Sequence, residues 1–154
     1  MTEQDATEVL FYHLENQPLE RVLPTLLEKT LERGWRAVVQ AGSQERLEAI
    51  DTLLWTYRDE SFLPHGMAGD DLAARQPIAL TLGVDNPNAA AVRFLVDGVP
   101  LGDTASYRRV VLLFDGRDEE AVVAARGSWK SAKAAGAAVS YWQQDAEGRW
   151  RNRA

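Results

Sequence analysis

Residues 109–142 read RVVLLFDGRDEEAVVAARGSWKSAKAAGAAVSYW. Arg109 to Phe114 is a nearly continuous apolar run, the pattern of a strand covered on both faces. Asp118, Glu119 and Glu120 then open an alanine-rich stretch from Arg117 to Ala135 that ends in lysines, so its charges complement a helix dipole. Gly136 closes that helix, and Ala137 to Trp142 resumes a strand pattern. Strand, helix and strand in this order call for a parallel pair joined by a crossover, and hence an α/β fold.

The rest of the chain extends the same alternation. Glu8 to Leu14 is rich in β-formers, and Val22, Leu23, Leu26, Leu27 and Leu31 recur at helical spacing between Pro18 and Gly34. Pro24 implies a kink in this helix or a later start. Arg36 to Ala41 reads as a short strand, and Ser43 as the N-cap of a helix through Leu47, Ile50 and Leu54 that ends near Trp55. Thr56 to Pro77 holds no period and is expected to be a long surface loop. Ile78 to Leu82 and Val92 to Val96 suit buried strands, with a turn at Asn86, Pro87 and Asn88 between them. Asp145 to Gly148 is a turn into a tail. The expected architecture is a three-layer α/β/α sandwich with a largely parallel sheet, in one domain spanning 1–154, with 1–7 a candidate disordered segment.

Composition narrows the function classes. No apolar run approaches the roughly 20 residues needed to span a bilayer. The acidic N-terminus lacks the features of a secretory signal, and the absence of cysteine excludes disulfides and thiolate zinc sites, all of which fits a cytoplasmic protein. A net charge of −6 opposes general avidity for nucleic acid, so a DNA-related role should run through a local patch or a protein partner. The first strand-to-helix turn is Leu14-Glu15-Asn16-Gln17-Pro18, with no glycine to admit a phosphate and a carboxylate to repel one. Dinucleotide and P-loop fingerprints are absent from the sequence, and no cofactor is indicated. Of the two histidines, His13 reads as a core or sheet-face residue and His65 as a loop residue bonded to backbone. Ser61 near His65 lacks an elbow motif, and Asp70 and Asp71 are a weak hint of metal ligation.

Two stretches carry more specific information. Trp55 and Phe62 lie at a helix end and in the following loop, where large aromatics serve either as interface anchors or as local core plugs, and both readings stand. On the later helix, Ala121, Ala125, Ser128 and Ala132 form a stripe of small residues for close packing on the sheet. Arg126, Trp129, Lys130 and Lys133 fall on the neighbouring stripe, which should therefore face solvent at least in part. An indole among three cations suits a ligand bearing a carboxylate and an aromatic ring; the alternative is that Trp129 covers sheet edge.

LLWTYRDESFLPHG at 53–66 followed by ARQPIALT at 74–81 resembles the most distinctive segment of the chi subunit family of bacterial DNA polymerase III. FYHL at 11–14, RGWRAVV at 33–39, LVDG at 95–98, RVVLLFDGRDEEAV at 109–122, ARGSWKSAKAAG at 125–136 and YWQQDAEGRW at 141–150 agree in order. The resemblance implies a non-catalytic subunit with a Rossmann-like outline and no phosphate loop, monomeric alone and heterodimeric with the psi subunit of the clamp-loader complex. It also implies binding of the acidic C-terminal tail of single-stranded DNA-binding protein, without strong direct binding of nucleic acid. The tail-binding positions would be Arg126, Trp129 and Lys130, with Lys133 an extension from helical geometry. The psi-facing surface would include Trp55 and Phe62, together with Leu63, Pro64 and His65. The alternatives are a degenerate nucleotide-dependent α/β enzyme and an adaptor for a helicase-like repair protein.

Overall fold

A computed structural model describes residues 7–15, 17–56, 64–69, 73–102 and 104–153. Among these, eight strands form a continuous sheet in the order β3-β4-β2-β5-β6-β1-β7-β8. They are β1 (Glu8–Leu14), β2 (Ala37–Gln40), β3 (His65–Met67), β4 (Ile78–Thr81), β5 (Val92–Leu95), β6 (Arg109–Asp115), β7 (Ala138–Gln144) and β8 (Trp150–Asn152). The pairings from β3 through β7 are parallel, and β8 is antiparallel to β7. Among the described residues three α-helices cover the sheet: α1 (Leu19–Glu32), α2 (Gln44–Thr56) and α3 (Glu119–Ala134).

Strand alternation divides the core in two. Leu14 of β1 meets the buried leucines and isoleucine of α1 and α2 on one face, with Leu10 and Tyr12 packed alongside. Val9 and Phe11 instead face Ala125 and Ala132 of α3 on the other. The expected sandwich is therefore present, with α1 and α2 on one side and α3 on the other. Ala125 and Ala132 are buried, as the small-residue stripe predicts, and let α3 lie close to β6, β1 and β7.

Local chemistry explains several element ends. The Asp118 carboxylate accepts the backbone N–H groups of Glu120 and Ala121, capping α3. Gly136, with φ of 90°, lets the chain leave that helix in the left-handed region. Ser43 Oγ accepts the Arg46 N–H at 3.1 Å, the capping contact expected for α2.

Four sequence expectations need correction or refinement. Pro24 does not delay α1, which begins at Leu19 and carries the proline inside it; burial of Leu23 and Leu27 beside it outweighs the lost backbone hydrogen bond. The segment expected to be a surface loop contains β3, which adds to the sheet edge beside β4, and a short 3-10 turn at Ala73–Arg75. His65 is accordingly a buried strand residue instead of a loop residue, and its Nε2 meets Asp51 Oδ1 at 2.8 Å. The tail folds back as β8 across the Asp145 turn. His13 is a buried sheet-face residue, as read from its place in the first strand.

A buried cation fastens the middle of the sheet. Arg93 of β5 directs Nε and Nη2 at Gln40 Oε1, Nη2 also at the Gly83 carbonyl, and Nη1 at the Asp85 carbonyl and the Tyr107 hydroxyl. Its five N–H donors thus have acceptors on β2 and on the connections flanking β5, a condition a buried guanidinium must meet.

Candidate functional site

The α3 stripe is assembled as helical geometry predicts. Trp129 is half-buried, with Phe11 of β1 at a ring-centroid distance of 5.4 Å and Tyr141 of β7 at 5.9 Å. Those two rings are paired opposite each other in the β1–β7 register, so the sheet presents them side by side beneath the indole. Arg126, Lys130 and Lys133 are exposed around it. Lys133 Nζ lies 5.9 Å from the indole centroid, within cation–π range. The indole therefore covers the sheet, one of the two readings the sequence left open, and keeps part of its surface exposed on the helix that carries the three cations.

A polar cluster adjoins this platform. His13 Nδ1 and the Tyr141 hydroxyl are 2.6 Å apart, and His13 Nε2 is 3.6 Å from Glu15 Oε2. Gln143 Nε2 donates to Glu15 Oε1 at 3.1 Å. Burial pushes the Tyr141 hydroxyl above its ordinary pKa; the Arg126 guanidinium partly offsets this and Glu15 adds to it. Arg126 is thus electrostatically coupled to the ring that supports Trp129. Neither Phe11 nor Tyr141 was singled out from the sequence, although alternation along their strands could have placed both on the α3 side.

The second aromatic region lies at the opposite edge of the sheet and on the opposite face. Trp55, at the end of α2, is 54% exposed, which decides against a core role for it. Its ring centroid is 4.8 Å from that of His65. The His65 side chain is buried, so it bears on this surface by holding Trp55 and pairing with Asp51. Pro64 is half-buried. Phe62 and Leu63 lie outside the described residues, as do Ser61, Asp70 and Asp71. Among the described residues no cluster of three or more His, Cys, Asp or Glu could hold a metal ion.

The crevice at the carboxyl ends of the strands, where open α/β sheets commonly bind ligands, has a volume of about 630 Å³. Glu20, Asp97, Asp115, Asp118 and Glu120 line it against Arg46 and Arg117. Arg46 is engaged by Asp97 at 3.0 Å and Glu20 at 3.3 Å. Carboxylates in excess over cations make this a poor place for phosphate, in agreement with the glycine-free turn at Leu14 to Pro18.

The family described as "DNA polymerase III chi subunit, HolC" matches residues 6–140. The chain belongs to that family. Among chi relatives, the probable DNA polymerase III subunit chi of Rickettsia prowazekii is 27% identical over 103 residues, covering 67% of this chain and 62% of the relative. The DNA polymerase III subunit chi of Pseudomonas aeruginosa is 34% identical over 58 residues, covering 38% of this chain and 39% of the relative. The chain thus spans less than two thirds of the length of either curated chi relative. The matched family region includes β1, Trp55, His65 and all of α3. No helix among the described residues of this chi-family chain is long and apolar enough to cross a membrane.

Proposed function

We propose that this chi-family chain is a non-catalytic, cytoplasmic accessory subunit of a bacterial replicative polymerase, joining the clamp-loader complex to single-stranded DNA-binding protein. The α3 stripe receives the acidic C-terminal tail of that protein. Arg126, Lys130 and Lys133 neutralise its carboxylates, and the apolar surface beside Trp129 takes its terminal aromatic side chain. Trp55, with Phe62, Leu63, Pro64 and His65, forms the psi-facing surface.

The observation that carries this reading is the half-buried Trp129, backed by Phe11 and Tyr141, with Lys133 at its ring and exposed Arg126 and Lys130 on the same helix. Charge-assisted contacts of this kind are typically worth about 1.5–3 kcal/mol each and weaken with salt, which suits a link made and broken repeatedly. The placement of the two surfaces also supports an adaptor. β3 and β7 are six strand positions apart, or about 29 Å, so two partners can sit on the chain together.

Titration calorimetry with a peptide ending in aspartates, proline and phenylalanine tests the proposal. Heat of binding from the native chain, reduced at least about tenfold in affinity by Arg126→Ala, is the expected result. No heat, or unchanged affinity in that variant, refutes the tail site. A pull-down of the psi subunit with Trp55→Ala as control tests the second surface, because so exposed a side chain can be removed with little cost to the fold.

A further inference from the structure

A groove of about 590 Å³ lies between α1 and residues of β5, β6, β1, β7 and β8. Tyr12, Trp142 and Trp150 form its aromatic wall. Tyr12 stacks on Trp142 at 6.2 Å and 13°, and Trp150 meets Tyr12 edge-on at 5.0 Å. The rim carries Arg21 and Lys29 of α1 and Arg33 at its C-cap, all exposed and separated by multiples of four residues, which keeps them in one row. Arg109 also lines the groove but is engaged by Glu8 at 2.7 Å.

The distribution of charge is the telling feature. The chain has 23 acidic and 17 basic residues, yet none of the described residues lining this groove is Asp or Glu. Glu28 and Glu32 of the same helix do not line it. A ridge of cations about 18 Å long beside joined aromatic rings matches a linear polyanion with flat groups, which is the chemistry of single-stranded nucleic acid. An acidic peptide without aromatic side chains would use the cations but leave the three rings uncovered.

We infer that this groove is a binding site for a short run of single-stranded nucleic acid, with bases against Trp142 and Trp150 and phosphates on Arg21, Lys29 and Arg33. The net charge of −6 opposes the contact at long range, so it is weak and confined to this patch. Three neutralised phosphates give a slope of about −2 in log affinity against log salt, or about 70-fold weaker binding between about 20 mM and about 150 mM salt.

Fluorescence anisotropy of a labelled oligothymidylate of about ten nucleotides, titrated with the full chain across that salt range, is the test. The expected result is low-salt binding with that slope, weakened at least about tenfold in the double variant Arg21→Glu, Lys29→Glu. These two side chains are exposed, and circular dichroism verifies that the variant is folded. Arg126→Ala should leave oligonucleotide binding unchanged, while the double variant should leave tail-peptide binding unchanged, so the groove and the α3 stripe stand or fall separately. Absence of binding at low salt, or binding indifferent to the double charge reversal, overturns the inference. So does displacement of the oligonucleotide by polyglutamate of equal charge at lower concentration, which would assign the groove to an acidic protein.

Discussion

Replacing Gly116 with alanine should expose how tightly the support beneath Trp129 is built. Gly116 follows β6, and its N–H donates to the Leu14 carbonyl at 2.7 Å, which fixes the backbone. A Cβ added there would fall inside the van der Waals envelope of the His13 imidazole. That ring has little freedom to move. The Tyr141 hydroxyl holds Nδ1 at 2.6 Å, and the Phe114 ring lies edge-on at 5.2 Å. Overpacking a site of this kind costs about 1–3 kcal/mol, and losing the His13–Tyr141 hydrogen bond adds about 1 kcal/mol. Gly116→Ala should therefore destabilise by about 3 kcal/mol, or roughly 6–12 °C in Tm for a chain of this size. Urea unfolding measures the difference, and a double-mutant cycle with His13→Ala identifies its cause. Gly116 is not among the positive-φ glycines, so once the imidazole is gone alanine is tolerated and should be neutral or stabilising by about 0.5 kcal/mol. An equal cost in both backgrounds would refute steric crowding by His13 as the explanation. Because Tyr141 also supports Trp129, Gly116→Ala should weaken tail-peptide binding too, without touching the α3 stripe.

Arg93→Met should destabilise by about 3 kcal/mol or more, measured by urea unfolding, because Gln40, Tyr107 and the carbonyls of Gly83 and Asp85 lose their donor together. A loss under about 1 kcal/mol would mean that these acceptors find other partners. Asp145 sets a pH limit on the β7–β8 hairpin. Its carboxyl is held below the ordinary value of 3.8, chiefly by the Arg149 backbone N–H, then by Arg151 and the Glu147 N–H, against an opposing effect of burial. A folded pKa lowered in this way contributes stability that is fully present above pH 3.8 and lost as the pH falls through the lowered value. Acid titration of tryptophan emission should accordingly show Trp150 released below pH 3.8, a step that Asp145→Asn abolishes; the same step in that variant would assign it to another group. Arg126→Ala should move the Tyr141 hydroxyl pKa further up, as followed by NMR of the ring, because the guanidinium now opposes the effect of burial. An unchanged value would separate Arg126 from the Trp129 platform.

Much of the architecture was legible where an element's own period speaks. Glu8 to Leu14 has the same bounds in the sequence reading and in β1, and α3 lies within the stretch from Arg117 to Ala135. β3 was not legible, because His65, Gly66 and Met67 carry no alternation and exist as a strand through backbone pairing with Ile78, Ala79 and Leu80. β8 escaped for the same reason: Trp150, Arg151 and Asn152 become a strand only against Trp142, Gln143 and Gln144. Pro24 by itself left a kink and a later start open, and the start at Leu19 is supported by burial of its neighbours.

In the candidate site, the 100° step of a helix was enough to bring Arg126, Trp129, Lys130 and Lys133 onto one stripe and to put Ala125 and Ala132 on the buried side. That reasoning depends on one element at a time. What lies beneath or beside the stripe depends on strand register: Phe11 opposite Tyr141 under the indole, His13 against Gly116, and Tyr12, Trp142 and Trp150 gathered into one groove. Intrinsic periodicity determines which way a side chain points from its own helix or strand, and residue order carries that directly. Which distant side chains then meet is decided by the hydrogen-bonded register and layer packing of the whole sheet, and those exist only once the chain has closed on itself.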